Sequence, residues 1–475
     1  MAITDYLLRH QATNPVSFHM PGHKGSRLFR RLGYDAFLDN IVDIDITEIP
    51  GADNLFQTEG IIAETMARYR RLYGSRQTYL LINGSSSGLI ASILATTEHG
   101  DDMIVARNCH KSIFSGVEMA GVRPVYAYPQ IVAPYGISGP VSPEEVERCL
   151  REHPRAAAVI LPSPNYYGIC SDIAAIAEVV HRSGKILIVD QAHGAHLKFL
   201  DAQSLAAEDL GADIVICSTH KTLASFTESA VANVMGDRVS LQRMEDALGK
   251  MESTSPSYIL MASLDVNADI LEKHGASLMA EWKACIERFY REAAIRIPGL
   301  RIMEHPMLDR TKINLDMSGY GLSGHALEQA LTDRGIWPEL VTGDIVMCMT
   351  GVGNQWSDYE ALLQALQDIA ATAPDRAGAT CTTCANGPLR DPEASAWSFP
   401  VLTQKPIPKD KAELPLGDAA GKVCARALIP YPPGIPIVCP GEVLTEEICR
   451  YIAELRAQGE NVIGLSAEGT VCVGI

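Results

Sequence analysis

Between Gln77 and Met235, apolar runs of strand length recur at intervals filled by helix-length segments, and this alternation constrains the fold more than any other feature. The runs are TYLLI, MIVA, PVYAY, AAVILP, KILIVD and DIVICS. Strands alternating with helices predict an α/β fold with a mainly parallel sheet covered on both faces, since each parallel strand needs a crossover. Such a sheet gathers ligand chemistry in the crevice beyond the carboxyl ends of its strands. Polar residues at those ends are therefore the first candidates for function.

Helix-favouring sequence from Asp265 to Ala294 reads as a long connector bridging two lobes. After it, LRIMEH, TKINLDM, HALEQALTDRG, IVMCMT and DYEALLQALQDIAA predict a small α+β unit. An aperiodic stretch rich in Ala, Thr, Gly and Pro follows as a linker or wrapping loop. A last unit holds YPPGIPIVCPGE and the helix TEEICRYIAELRAQ. The expected organisation is an N-terminal arm over 1–60, a large domain over 61–295, a small α+β domain over 296–372, a linker over 373–413 and a C-terminal domain over 414–475. A chain of 475 residues is long enough for this, at about 150 residues per domain.

Forty basic and 57 acidic residues leave a net charge of −17, which argues against a nucleic-acid or anionic-membrane surface and suits a cationic substrate. The chain is 47% hydrophobic without an apolar run near 20 residues, so a soluble globular protein is expected. The opening MAITDYLLRHQATNP carries charge too early for a signal peptide, which predicts a cytoplasmic protein with reduced thiols. Most of the 12 cysteines sit in apolar segments as small buried hydrophobes. Cys381 and Cys384 form one CxxC with no second pair at zinc-site spacing, so no metal is expected.

Three His-Lys pairs occur, at His23-Lys24, His110-Lys111 and His220-Lys221, and their surroundings separate them. His220-Lys221 follows DIVICST, just past a strand end, where a desolvated lysine becomes a Schiff-base nucleophile. Asp190 ends the strand KILIVD 31 residues earlier, about one helix-and-strand unit, so both side chains face one crevice. An aspartate beside a pyridine nitrogen keeps it protonated, as pyridoxal-phosphate chemistry requires. LLINGSSSGLIASIL reads as a strand, a Gly/Ser turn and a helix start, able to approach a phosphate with N–H groups and hydroxyls. It is neither a Walker loop nor a dinucleotide fingerprint. His110 follows the strand MIVA and could lie on the face of the cofactor ring. The later GVGN at Gly351 to Asn354 reads as a turn.

These residues resemble one family, the Orn/Lys/Arg decarboxylases, over nearly the whole chain. The likeness rests on MPGHKG (Met20 to Gly25), DITEIPGADNLFQTEG (Asp45 to Gly60), NGSSSG (Asn83 to Gly88), RNCHKS (Arg107 to Ser112), DQAHGAH (Asp190 to His196), STHKTL (Ser218 to Leu223), STSPSYILMASLD (Ser253 to Asp265) and PYPPGIPIVCPGE (Pro430 to Glu442). The resemblance implies the aspartate-aminotransferase-like (type I) fold and pyridoxal 5'-phosphate as cofactor. It implies that Lys221 carries the Schiff base, Asp190 pairs the pyridinium, His110 stacks on the ring, and Ser85, Ser86, Ser218 and His220 hold the phosphate. His193 is expected close to the cofactor. Thr254 and Ser255 are expected to approach the site across a dimer interface, and Glu442 to meet the substrate's distal positive end or its rim.

Only 19 residues precede Met20, whereas longer members carry a receiver-like wing there, so the resemblance implies a homodimer or tetramer with shared active sites rather than large rings. The length and the wording DQAHGAH resemble the short branch that includes biosynthetic arginine decarboxylases. The implied reaction removes CO₂ from a basic L-amino acid, arginine to agmatine first, with lysine or ornithine as alternatives. Arg426 stands where many relatives carry an acidic or neutral residue, which bears on that choice. Two rivals are an aminotransferase or lyase of the same fold, in which an arginine such as Arg426 or Arg334 clamps the α-carboxylate, and a catalytically silent cofactor-binding protein.

Overall fold

The computed structural model describes residues 1–133, 135–200, 204–372, 401–431, 434–457 and 459–475. The apolar runs form one seven-stranded sheet: β1 (Gln77–Leu81), β2 (Asp102–Ala106), β3 (Arg123–Ala127), β4 (Ala158–Pro162), β5 (Ile186–Asp190), β6 (Ile214–Cys217) and β7 (Ala230–Val234). Their order is β1-β7-β6-β5-β4-β2-β3, with β7 antiparallel to both neighbours and every other pairing parallel. Ile104, Val105, Ile160, Ile188, Val189 and Val215 are fully buried, as strands covered on both faces require. The chain runs outward through β2 and β3, returns to β4 on the other side of β2, and then proceeds to β6. That reversal opens a crevice between the carboxyl ends of β2 and β4.

The connector is one helix, α1 (Tyr258–Arg296), of 39 residues, roughly 58 Å long at 1.5 Å per residue. It starts before the expected Asp265 because Ser257 caps it, its hydroxyl accepting from the N–H of Leu260 at 3.4 Å. Beyond it lies a four-stranded antiparallel sheet of Arg301–Ile302, Lys312–Asp316, Ile345–Met349 and Leu340–Thr342, in that spatial order. The helices Gly324–Thr332 and Trp356–Thr372 accompany it. In the arm, Val16–Phe18 pairs in parallel with Ile336–Pro338, which stitches the arm to the small unit. The last unit has its own core around Leu416, Cys424, Leu428, Val438, Ile452 and Val473. Its strand Lys411–Pro415 begins inside the stretch expected to be linker, because so short a run ending in proline gives too little alternation to read. Cys381 and Cys384 lie outside the described residues. No helix among the described residues is long and apolar enough to cross a membrane.

The PGHKG motif is held by backbone contacts on both sides. The Gly22 N–H donates to the carbonyl of His220 at 2.7 Å, and the Gly353 N–H donates to the carbonyl of Gly22 at 3.0 Å. A Cβ on Gly22 would lie 2.4 Å from the Thr222 carbonyl carbon, and one on Gly353 would lie 2.0 Å from the His23 oxygen. GVGN is thus more than a turn: glycine lets two loops meet backbone to backbone. A second anchor is Asp53, at φ 70°, whose carboxylate accepts the N–H groups of Asn54, Glu59, Gly60 and Ile62 at 2.8–2.9 Å. Asp53→Ala should lower stability by about 1–2 kcal/mol through loss of this cap. A urea midpoint unchanged from wild type would contradict the assignment.

Candidate active site

Most strands that end at the crevice contribute a side chain there. Ser85 lies in the first turn of the helix Gly84–Thr96 after β1, and His110 caps the helix Lys111–Ala120 after β2. Tyr166 follows β4, Asp190 closes β5, and His193 lies in the turn just beyond it. Lys221 sits in the short helix Thr219–Thr222 after β6. Ser85, His110, Tyr166, Asp190, His193 and Lys221 line one cleft with Asn108 and Asn165, enclosing about 420 Å³ with its mouth included.

Within this cleft the Nζ of Lys221 lies 2.9 Å from Nε2 of His193, close enough to pass a proton. Burial lowers the Lys221 pKa below its usual range, against the pull of Asp190 and Glu339. Burial raises that of Asp190, whose Oδ1 accepts the Ala192 N–H at 3.1 Å. Burial, with Lys221 and Lys111 adding, pushes His110 down to about 3, and burial also holds His193 well below its usual value. These imidazoles are therefore neutral near pH 7. His193 packs against Tyr166 with ring centroids 4.4 Å apart and the ring planes tilted by 53°.

The donor set fits pyridoxal 5'-phosphate. A buried carboxylate at Asp190 gains from a cationic N–H partner such as a pyridinium. Three buried polar atoms at or near the cleft, Ser218 Oγ, His193 Nδ1 and Asn108 Oδ1, have no hydrogen-bond partner among the described residues, and buried polar groups call for one. The N-terminus of the helix Gly84–Thr96 adds N–H groups suited to a phosphate.

The other expected residues divide. Ser86 stands in the same first turn as Ser85 but does not line the cleft. Ser218 and His220 are buried beside Lys221, and His220 Nδ1 donates to the Ser229 carbonyl at 2.8 Å, which leaves only its other ring nitrogen for a ligand. Thr254 and Ser255 are exposed in the turn before α1 and do not line the cleft of their own chain. Glu442 departs from its expected place facing substrate. Its carboxylate is fully buried and accepts from Arg107 Nη2 at 3.0 Å and from the Cys439 N–H at 2.6 Å. Arg426 is an exposed residue 3.9 Å from Glu413, and Arg334, in the turn after the helix Gly324–Thr332, donates to the Ala330 carbonyl of that helix. Sequence reading missed Asn108, Asn165 and Tyr166, although the strand-end rule applied to SPNYYG after AAVILP would have found the last two. It also missed Glu252, which accepts from the Ser87 hydroxyl at 2.5 Å and from the Ile82 and Asn83 N–H groups at 3.2 Å, bracing the Gly/Ser turn.

Fold and site together define a type I pyridoxal-phosphate architecture. The structure of lysine decarboxylase A from Pseudomonas aeruginosa superposes with a TM-score of 0.78 at 22% identity, covering 99% of this chain and 80% of that one. In sequence, the arginine decarboxylase of Bacillus subtilis (strain 168) is 32% identical over 458 residues, 94% of this chain and 91% of that one. The arginine decarboxylase of Bacillus anthracis is 30% identical over 470 residues, 96% of this chain and 93% of that one. The Orn/Lys/Arg decarboxylase major domain matches residues 2–313, and the C-terminal domain of the same enzymes matches 401–470. The chain belongs to the Orn/Lys/Arg decarboxylase family.

Proposed function

We propose that this protein decarboxylates L-arginine to agmatine and CO₂ with pyridoxal 5'-phosphate. The observation that carries the reading is a half-buried lysine, Lys221, in contact with His193 and in one cleft with a buried aspartate at the end of the adjacent strand. The arginine decarboxylases at 30% and 32% identity support the substrate. When bound, pyridoxal 5'-phosphate supplies an aldehyde for the substrate amine and an electron sink for the pair left as the carboxylate departs.

The chain's own residues do the rest. Ser85, Ser86, Ser218 and the free ring nitrogen of His220 would hold the phosphate, and Asp190 would keep a proton on the pyridine nitrogen. His110 would lie against the ring. Lys221 Nζ, made more readily neutral by its surroundings, would hold the aldehyde of the group and, once free, would move a proton at the substrate Cα, with His193 Nε2 as its exchange partner. Among the described residues no arginine lines the cleft, which favours decarboxylation over the transaminase rival with its carboxylate clamp.

Assembly as a homodimer or higher homo-oligomer with shared active sites is part of the proposal. The arm and the start of the large domain expose Val42, Ile49, Phe56 and Ile61, apolar side chains that a partner subunit would cover, and Thr254 and Ser255 are free to reach a neighbour's cleft. The ten free cysteines among the described residues support a reducing, cytoplasmic setting.

The test offers arginine, lysine and ornithine at equal concentration and identifies the amines formed. Agmatine with CO₂ and no keto acid supports the reading; a keto acid, or cadaverine or putrescine as the main product, overturns it or its substrate. Asp190→Ala should cut turnover roughly 10²–10³-fold while retaining some cofactor. Unchanged activity in that variant would remove the role given to the aspartate.

A further inference from the structure

The turn that carries His110 is gripped on both sides by the C-terminal unit. Arg107 is fully buried, although it belongs to the large sheet's domain. Its guanidinium donates to the carbonyls of Pro436 at 2.5 Å and Ile437 at 2.8 Å and to Glu442 at 3.0 Å, and it lies 5.3 Å from the ring centre of Tyr126. On the other side of His110, the Lys111 N–H donates to the Gly434 carbonyl at 3.1 Å, and Lys111 Nζ lies 5.4 Å from the ring centre of Tyr431. Gly434 itself approaches the imidazole: a Cβ there would lie 3.5 Å from His110 Cδ2. Between the two grips stand Asn108 and His110, both in the lining of the cleft.

A buried guanidinium is retained only where carbonyls and a carboxylate surround it. Every contact named here but the ring of Tyr126 comes from the C-terminal unit, so the unit is built into the active-site turn. We propose that Arg107 and Glu442 are positioning residues: through them the C-terminal unit sets the His110 imidazole against the cofactor ring. This rests on the reading of His110 as the ring-stacking residue. It explains why Glu442 is withdrawn from the substrate, since the carboxylate acts on the site through Arg107.

The test is a double-mutant cycle in the holoenzyme with Glu442→Gln and His110→Ala, read by the visible circular dichroism of bound pyridoxal 5'-phosphate and its half-time of loss on dialysis, alongside turnover. Glu442→Gln keeps the side-chain shape and removes the counter-charge. It should weaken the dichroic band and hasten cofactor loss about tenfold. Placed on His110→Ala, it should add less than about twofold, because the residue through which it acts is gone. Multiplicative losses in the double variant would overturn the proposal, as would an unchanged band in Glu442→Gln. Tyr431→Ala, at a half-exposed ring, supplies a second arm should Glu442→Gln not fold: the same dependence on His110 is expected, and independence overturns the proposal. A wild-type protein that binds no pyridoxal 5'-phosphate would instead sink the parent reading, and the proposal with it.

Discussion

Lys221→Ala is expected to reduce CO₂ release by roughly 10⁴–10⁶-fold, the scale seen when an enzyme loses its nucleophile. The expectation follows from where the amine sits. Its nitrogen lies 2.9 Å from His193 Nε2, and it is the one lysine among the described residues that line the cleft. Lys312, a nearby buried lysine, is committed elsewhere, donating to Asp309 at 2.6 Å and to the His193 carbonyl. Among the described residues, then, no second amine is placed in the cleft to take over the covalent or proton-transfer work. Borohydride reduction of the wild type, followed by peptide mass mapping, should place the pyridoxyl group on the peptide containing Lys221, and the variant should yield no such peptide. A label on Lys111 or Lys312, or turnover within about tenfold of wild type, would remove Lys221 from its role.

How far the sequence could reveal this arrangement depended on distance along the chain. The strands of the large sheet are legible because each is an unbroken apolar run buried on both faces, and Asp190 and Lys221 inherit their positions from the ends of such runs. Nothing local marks Arg107 and Glu442 as partners, because 335 residues separate them, and the family resemblance directs Glu442 toward the substrate instead. The pairing of Val16–Phe18 with Ile336–Pro338 is hidden for the same reason, and both strands are too short to show a period. GVGN looks like an ordinary turn until its glycines are seen against the PGHKG backbone. Thr254 and Ser255, exposed in one chain, acquire a role only with a second subunit. Local pattern fixes elements and strand ends; the contacts that tune the site are made between units far apart in sequence.

The largest loss of stability is expected from Asp309→Ala. Asp309 is fully buried, accepts from Lys312 Nζ at 2.6 Å and lies 3.1 Å from His196 Nε2, and both partners are themselves fully buried. Burial alone would raise its carboxyl pKa, but Lys312 and His196 pull it well below the usual carboxylate range. Its stabilising contribution is therefore present above the unfolded value of about 3.9 and is lost only as pH falls toward the lower folded value. Removing the carboxylate leaves the Lys312 ammonium in a dry interior with the His193 carbonyl and the Thr311 hydroxyl, at 3.2 Å, to accept from it. A broken buried pair costs about 3–5 kcal/mol, and urea unfolding at pH 7 should show that loss as a lower midpoint. Because Lys312 holds the His193 carbonyl, activity should fall as well, beyond what the folded fraction explains. Asp309→Ala combined with Lys312→Met removes both charges and should recover a large part of the stability, since apolar replacement of an entire buried pair is often neutral. A double variant less stable than Asp309→Ala alone would show that packing, and not an unpaired charge, is what the single substitution disturbs.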